Sequence, residues 1–172
     1  MNNKVDFLPI NIAIVTISDT RDLDNDKSGD VLAHRIAHSG HNIVARKIVK
    51  DDFKQITQLF QSLINNEKID VVISTGGTGL TGRDITPEVM KTLFEKSIDG
   101  FGEMFRWLSY SKIGTSALQS RALAGVTNGT YIFCLPGSPS ACKDGWDDIL
   151  VHQLDIRHKP CNFVEIMPRL LE

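Results

Sequence analysis

The chain has 172 residues, of which 41% are hydrophobic, and a length of this order is typical of one domain, so we expect a single domain over residues 1–172. The formal net charge is −2, and the sequence contains no run of Lys or Arg. Both observations disfavour nucleic acid or a membrane surface as the partner. No apolar run reaches the roughly 20 residues of a transmembrane helix, and the polar start over residues 1–4 lacks a signal peptide's apolar region, so we expect a cytoplasmic protein.

The first half of the chain alternates strands and helices. Strand segments are continuously apolar and rich in β-branched residues, whereas helical segments repeat apolar residues at helical spacing. In chain order, the predicted elements are a strand over Ile10–Ile17, a helix over Val31–Ala37 that ends near Gly40, a strand over Ile43–Val49, a helix over Phe53–Ile64 and a strand from Val71. This βαβαβ order predicts a parallel sheet with right-handed crossovers.

The second half adds more helices and a hairpin. In chain order, it contains predicted helices over Val89–Phe94 and Phe101–Leu108, strands over Leu123–Val126 and Tyr131–Leu135, and a helix over Ser140–Leu154. Asn128-Gly129 between the two strands predicts a hairpin, so one strand should run antiparallel to the others. The predicted fold is α/β, a three-layer α/β/α sandwich with a mostly parallel, doubly wound sheet and one antiparallel strand.

A glycine-rich loop follows the third strand. The segment Gly76–Gly82 contains four glycines, which permit positive φ and let backbone amides converge on an anion. Thr86 is predicted to cap the next helix, with Pro87 at its first position. Between the two elements, Arg83 is suited to a phosphate and Asp84 to Mg²⁺.

Three other interpretations of this loop are open. One is an ordinary strand-to-helix turn without a ligand. Gly77–Gly82 also matches the dinucleotide fingerprint G-x-G-x-x-G, but residues 83–86 separate it from the helix that should follow at once. A P-loop needs Lys-Ser/Thr where Arg83-Asp84 stands. We therefore favour an anion site of a different kind.

Polar residues follow each predicted parallel strand, at the edge where doubly wound sheets bind ligands. These segments are Ser18-Asp19-Thr20, Asp51-Asp52, the glycine loop and Pro136-Gly137-Ser138-Pro139. Asp51 and Asp84 are the candidate Mg²⁺ ligands, although Asp51-Asp52 is also typical of acids at a helix start. Ser138 before Pro139 predicts a helix N-terminus that either binds an anion or is an ordinary cap.

Long stretches of the chain resemble the molybdenum cofactor biosynthesis proteins of the MoaB/MogA family. They are T-G-G-T-G-L-T-G-R-D-I-T-P-E (Thr75–Glu88), C-L-P-G-S-P-S-A (Cys134–Ala141), and I-A-I-V-T-I-S-D-T-R (Ile12–Arg21) followed by D-K-S-G (Asp26–Gly29). The resemblance covers nearly the whole chain in order and implies a MogA-like fold. Three further segments are most similar to the MoaB branch: Phe101–Arg106, Ile113–Ala122 and Pro160–Phe163.

The resemblance also implies a function. It implies that the protein binds molybdopterin and adenylylates its phosphate with Mg-ATP, with Asp51 and Asp84 as the catalytic and Mg²⁺-binding acids. It further implies a homotrimer, or a hexamer formed by two trimers. The alternative is a non-catalytic molybdopterin- or nucleotide-binding oligomer that acts as a carrier. The residues expected to bind the substrates are Ser18, Asp19, Thr75, Gly76, Gly77, Thr78, Gly79, Arg83, Pro136, Gly137 and Ser138.

Overall fold

The computed structural model describes residues 5–172, so the polar start over residues 1–4 lies outside the described part. The strands are β1 (Asn11–Ile17), β2 (Asn42–Val49), β3 (Val71–Thr75), β4 (Lys96–Ser97), β5 (Leu123–Thr127) and β6 (Thr130–Leu135). They form a six-stranded sheet in the order β2-β1-β3-β6-β5-β4. The strands predicted from the sequence are therefore all present, within one or two residues at their ends.

Helices cover both faces of the sheet. They are α1 (Lys27–His38), α2 (Phe53–Ile64), α3 (Thr86–Leu93), α4 (Asp99–Ile113), α5 (Pro139–Gly145), α6 (Val151–Gln153) and α7 (Phe163–Ile166). A 3₁₀ segment (Gly114–Gln119) follows α4, and a π-helical turn (Trp146–Leu150) joins α5 to α6. Within residues 5–172, no helix is long and apolar enough to cross a bilayer.

Two apolar cores, one on each face of the sheet, confirm the predicted three-layer sandwich. Ile12 and Ile14 of β1 pack into the core covered by α1, α4 and α5. Ala13 and Val15, which alternate with them, pack into the core covered by α2 and α3. The five residues of β3 are all buried, because helices cover the strand on both faces, and its first three residues form the apolar run that is typical of such a strand.

One strand, β5, runs antiparallel to both of its neighbours, β4 and β6, which confirms the single antiparallel strand. Asn128 and Gly129 join β5 to β6 with φ values of 46° and 75°, as a type I′ turn requires. The edge strand β4 was not predicted. It is only two exposed residues long, too short to show an alternating pattern.

Parallel pairing brings the carboxyl ends of four strands to the same edge. Thr75 at the end of β3 pairs with Thr16 of β1 and with Leu135 at the end of β6. Ile17 at the end of β1 pairs with Val49 at the end of β2. The loops that follow these strands therefore begin side by side, as expected for parallel strands.

Candidate functional site

A cleft of about 590 Å³ lies at this edge, a volume typical of small-molecule sites. Most of the predicted site residues line it, namely Ser18, Asp51, Gly76, Gly77, Thr78, Gly79, Arg83, Asp84, Pro136, Gly137 and Ser138. The structure thus brings together the loops after β1, β2, β3 and β6.

Two predicted binding residues, Thr75 and Asp19, support the cleft without lining it. The Thr75 hydroxyl is buried, donates to the carbonyl of Pro136 at 2.9 Å and accepts from Sγ of Cys142 at 3.1 Å. The Asp19 carboxylate accepts from Nε of Arg83 at 3.0 Å and from the backbone amide of Asp51 at 3.3 Å. Each is thus bonded to another loop of the cleft, and direct contact of either residue with a ligand stays a prediction.

Three glycines of the loop are required, for two different reasons. Gly76 and Gly77 have positive φ, 106° and 63°, whereas Gly79 and Gly82 do not, so positive φ was predicted correctly for only part of the loop. At Gly79 the constraint is space, since a Cβ would lie 2.8 Å from Oδ2 of Asp84. Within residues 5–172, no backbone carbonyl accepts from the amides of Gly77 and Thr78, which leaves both donors for an anion.

The start of α3 differs from its prediction. Thr86 is the first helical residue and makes no capping bond; its buried hydroxyl instead donates to the carbonyl of Gly76 at 3.0 Å. This contact fixes the positive-φ turn against the helix. The assignment of Thr86 as N-cap was therefore wrong by one position, because its hydroxyl bonds the turn at Gly76 and is not available as a cap.

The Asp51 carboxylate faces the glycine loop, where a Cβ on Gly77 would lie 2.8 Å from its Oδ1. Partial burial raises the pKa of Asp51, and the negative charges of Asp19 and Asp84 raise it further. Only Arg83 opposes this shift. The surroundings of Asp51 therefore carry an excess of negative charge that a bound cation would relieve. Asp52, in contrast, caps α2 by accepting from the amide of Gln55 at 2.9 Å.

Asp84 is bound more tightly within its own loop. Its Oδ2 accepts from the amide of Thr81 at 2.9 Å and from the Thr81 hydroxyl at 2.6 Å. Burial alone would raise the pKa of Asp84, but these hydrogen bonds lower it below its usual value. Asp84 therefore stays ionised. It stabilises the loop through Thr81 and also lines the cleft.

Ser138 begins α5 as predicted. Its hydroxyl accepts from the amide of Ala141 at 3.1 Å, so the ordinary capping role is present, and Ser138 also lines the cleft. The carbonyl of the preceding Gly137 accepts from Oγ of Ser28 at 2.8 Å and from Nη2 of Arg21 at 2.9 Å. These two bonds hold the turn before α5 against the loop after β1 and the start of α1.

A buried carboxylate, Asp26, supports these contacts. It caps α1 through the amide of Gly29, accepts from the Thr16 hydroxyl at 2.7 Å and pairs with Arg46 at 3.0 Å. Its side chain is fully buried. Burial would raise the pKa of Asp26, but the bonds from Gly29, Thr16 and Arg46 lower it below its usual value.

Asp26→Asn is expected to lower the free energy of unfolding by about 2 kcal/mol at pH 7, because bonds to a charged acceptor are lost. The folded-state pKa lies below the unfolded value, so ionised Asp26 stabilises the protein above about pH 4, and this stabilisation disappears as the pH falls through the folded pKa. Urea unfolding at pH 7 and pH 3 measures both effects. Asp30→Asn is the matched control, since exposed Asp30 also pairs with Arg46. An equal loss in both variants, or a loss independent of pH, would contradict this account.

The sequence did not reveal a further wall of the cleft. It is built by α4, the 3₁₀ segment and the start of α5, and its lining residues are Phe105, Ser109, Lys112, Ile113, Ser116, Gln119, Ser120, Ser140, Ala141 and Asp144. Nζ of Lys112 lies 2.7 Å from the carboxylates of Asp144 and Asp148 and so joins α4 to α5. The apolar spacing of Phe101 and Phe105 did indicate a helix, but carried no information about which polar residues face the cleft.

Together, the fold and the cleft define a doubly wound α/β protein in which a glycine loop and two acids line one cleft at the carboxyl edge of the sheet. A family model described as "Probable molybdopterin binding domain" matches residues 13–156. The chain is 46% identical over 160 residues to molybdenum cofactor biosynthesis protein B of Escherichia coli, and the match covers 93% of this chain and 94% of that protein. The chain therefore belongs to the MoaB/MogA family of molybdenum cofactor biosynthesis proteins.

Solved structures agree with this assignment. A crystal structure of molybdenum cofactor biosynthesis protein B has a TM-score of 0.86 and 38% identity, covering 95% of this chain and 96% of that one. The tungsten cofactor synthesizing protein MoaB from Pyrococcus furiosus has a TM-score of 0.74 and 36% identity, covering 83% of this chain and 91% of that one. The resemblance seen in the sequence is thus confirmed at the level of family and fold.

Proposed function

We propose that this protein binds molybdopterin and adenylylates its phosphate with Mg-ATP, giving adenylylated molybdopterin and pyrophosphate. The observation that carries the proposal is one cleft that joins the carboxylates of Asp51 and Asp84 to the glycine loop and the start of α5. Membership of a molybdenum cofactor family supports molybdopterin as one ligand. The paired acids support the use of a second, metal-bound phosphate ligand.

The pterin phosphate is proposed to bind between the two loops that offer amides. One donor group consists of the amides of Gly77 and Thr78, which bond to no backbone carbonyl within residues 5–172, and the other is the positive end of α5 at Ser138. Both groups line the same cleft. Converging amides and a helix N-terminus favour a negatively charged group without any need for a buried lysine.

The residues present fit a Mg²⁺ ion held jointly with a nucleotide. Within residues 5–172, no group of three or more His, Cys, Asp or Glu side chains could hold a metal, but Mg²⁺ commonly binds through one or two carboxylates plus substrate phosphates. Asp51, whose pKa is raised by partial burial and by neighbouring negative charge, and Asp84 would supply these carboxylates. When bound, the ion would neutralise charge on the phosphates.

In the proposed reaction, an oxygen of the pterin phosphate forms a bond to the α-phosphorus of ATP. The bond from that phosphorus to the oxygen bridging to the β-phosphorus breaks, and pyrophosphate leaves with the electron pair. The chain's own contribution is to hold the two phosphates in line and to place amides and Arg83 near the developing charge. Asp19 holds the Arg83 guanidinium beside the cleft through its carboxylate.

No protein nucleophile is needed, and the buried thiols are unsuited to be one. Burial raises the pKa of Cys134 to about 12 and that of Cys142 to about 11. Both thiols are therefore protonated at neutral pH. Direct transfer between the two substrates is the simpler chemistry for this cleft.

Pyrophosphate release tests the proposal. Protein incubated with Mg-ATP and molybdopterin should release pyrophosphate and form adenylylated molybdopterin, and omission of molybdopterin should abolish the release. Saturable binding of both ligands without pyrophosphate would instead support the carrier alternative. Absence of molybdopterin binding would contradict both.

We also propose that the protein forms homotrimers or hexamers. Large apolar side chains are exposed along α4 and the 3₁₀ segment, including Trp107 at 73% and Leu118 at 82% exposure. An apolar surface of this kind is typical of an interface. Light scattering at micromolar concentration should give a mass three or six times that of the 19.1 kDa chain.

Leu118→Glu should shift this mass toward the monomer, because a buried charge in an apolar interface is costly. Leu23→Glu is the control, since Leu23 is also exposed, at 59%, but lies in the loop after β1. A monodisperse monomer for the unmodified protein would overturn the proposed assembly.

A further inference from the structure

Arg121 contacts the glycine loop from another part of the chain. It lies between the 3₁₀ segment and β5, and its side chain is 27% exposed. Its Nε donates to the carbonyl of Gly79 and its Nη2 to the carbonyl of Asp84, both at 2.7 Å. Its backbone amide donates to the carbonyl of Thr78 at 3.3 Å. One residue thus binds three carbonyls of the same loop.

The third nitrogen of the guanidinium, Nη1, pairs with the carboxylate of Glu88, which lies in the first turn of α3. Arg121 therefore links both ends of the loop to the helix that follows. A guanidinium suits this task because its donors are fixed in one plane and can bond several acceptors at once. A lysine ammonium on a flexible stem cannot reproduce that fork.

The contacts of Arg121 also determine which groups the loop offers to the cleft. Gly79 and Asp84 line the cleft, whereas Arg121 does not. Their carbonyl oxygens are thus bonded to a group outside the cleft lining. A carbonyl turned into the cleft would place the negative end of a dipole against a phosphate and weaken its binding.

A second contact stabilises the loop from within. The Asp84 carboxylate accepts a hydrogen bond from the Thr81 amide. That bond and the Arg121 bonds use different atoms of Asp84, its carboxylate and its carbonyl. The position of a proposed catalytic carboxylate is therefore fixed at the backbone by a residue 37 positions away in the chain.

We propose that Arg121 is a positioning residue for phosphate binding, and that it holds the glycine loop in the conformation in which its amides and Asp84 serve the cleft. The inference rests on the proposed function for its kinetic consequence, but the geometry of the loop is independent of turnover. Loss of the guanidinium should therefore loosen the loop even without a ligand.

Arg121→Ala should speed hydrogen exchange of the Thr81 and Asp84 amides, which are hydrogen-bonded within the loop, by at least about 10-fold, because the loop loses the guanidinium bonds that hold it. The affinity for Mg-ATP should fall by about 10²-fold, the scale of a misplaced binding group. Added guanidinium ion at low, non-denaturing concentration should restore part of this affinity. If Arg121→Ala is poorly folded, Arg121→Lys should show the same changes with a smaller amplitude.

Arg106→Ala is the matched control. Arg106 is also partly buried and donates to a neighbouring backbone carbonyl, that of Ala122, at 3.1 Å, but it does not bond the glycine loop. The Arg106→Ala variant should leave both the hydrogen exchange of the Thr81 and Asp84 amides and the affinity for Mg-ATP unchanged. Equal effects of the two alanine variants, or unchanged exchange in both Arg121 variants, would overturn the role of Arg121. If the unmodified protein binds no Mg-ATP, the proposed function fails, while the exchange comparison still decides the role of Arg121.

Discussion

Gly76→Ala is expected to lower the free energy of unfolding by at least about 3 kcal/mol. Gly76 has a φ of 106°, and a Cβ there would lie 2.1 Å from the carbonyl oxygen of Ile17. The new Cβ and the Ile17 oxygen cannot move apart easily, because each is attached to backbone at the end of a central strand and these two strands are neighbours. For a chain of this length, we expect the melting temperature to fall by roughly 6–12 °C.

Gly82→Ala provides the control for Gly76→Ala. Gly82 belongs to the same loop, but a Cβ there meets no heavy atom within 4 Å and its φ is not positive. Its free energy of unfolding should change by less than about 0.5 kcal/mol. Thermal unfolding of both variants makes the comparison, and a stable, soluble Gly76→Ala protein would show that the turn at Gly76 can relax.

Asp51→Asn should lower the rate of adenylylation by about 10²- to 10³-fold, the scale of losing one preorganised electrostatic contact. Molybdopterin affinity should remain, because the pterin phosphate is proposed to bind loop amides and not carboxylates. Asp51 is a better test than Asp84, since Asp84 also closes its loop through Thr81. Single-turnover rates and equilibrium binding, measured on the same preparation, separate the two effects.

Asp52→Asn is the matched control for Asp51→Asn. Asp52 is adjacent in the chain but caps α2, and asparagine caps a helix about as well as aspartate. Both stability and turnover should therefore remain close to those of the unmodified protein. If Asp51→Asn turns over as fast as Asp52→Asn, the Asp51 carboxylate has no part in the transfer.

Much of the fold could be predicted because its strands are buried on both faces. Such strands contain continuous apolar runs, as at Val71–Ile73, and they are easily recognised between amphipathic helices. The hairpin at Asn128-Gly129 could be predicted because its turn type requires positive φ. The edge strand Lys96–Ser97 could not, since two exposed residues carry no pattern.

The part of the candidate site that follows the strands was also predictable, because the carboxyl ends of parallel strands lie at one edge of the sheet. Local sequence could not show that Thr75 and Asp19 bond to neighbouring loops, since their partners Pro136 and Arg83 are distant in the chain. The same reason explains why Arg121 was missed. Its contacts with Gly79 and Asp84 join segments separated by 42 and 37 positions.

Label transfer from ATP tests the proposed chemistry most directly. ATP labelled at the α-phosphorus should pass its label to molybdopterin in an amount equal to the pyrophosphate released, and ATP labelled at the γ-phosphorus should leave its label in pyrophosphate. This result is expected because the proposed bond forms at the α-phosphorus. Label in molybdopterin from the γ-phosphorus, or no label in molybdopterin although both ligands bind, would contradict adenylyl transfer by this cleft.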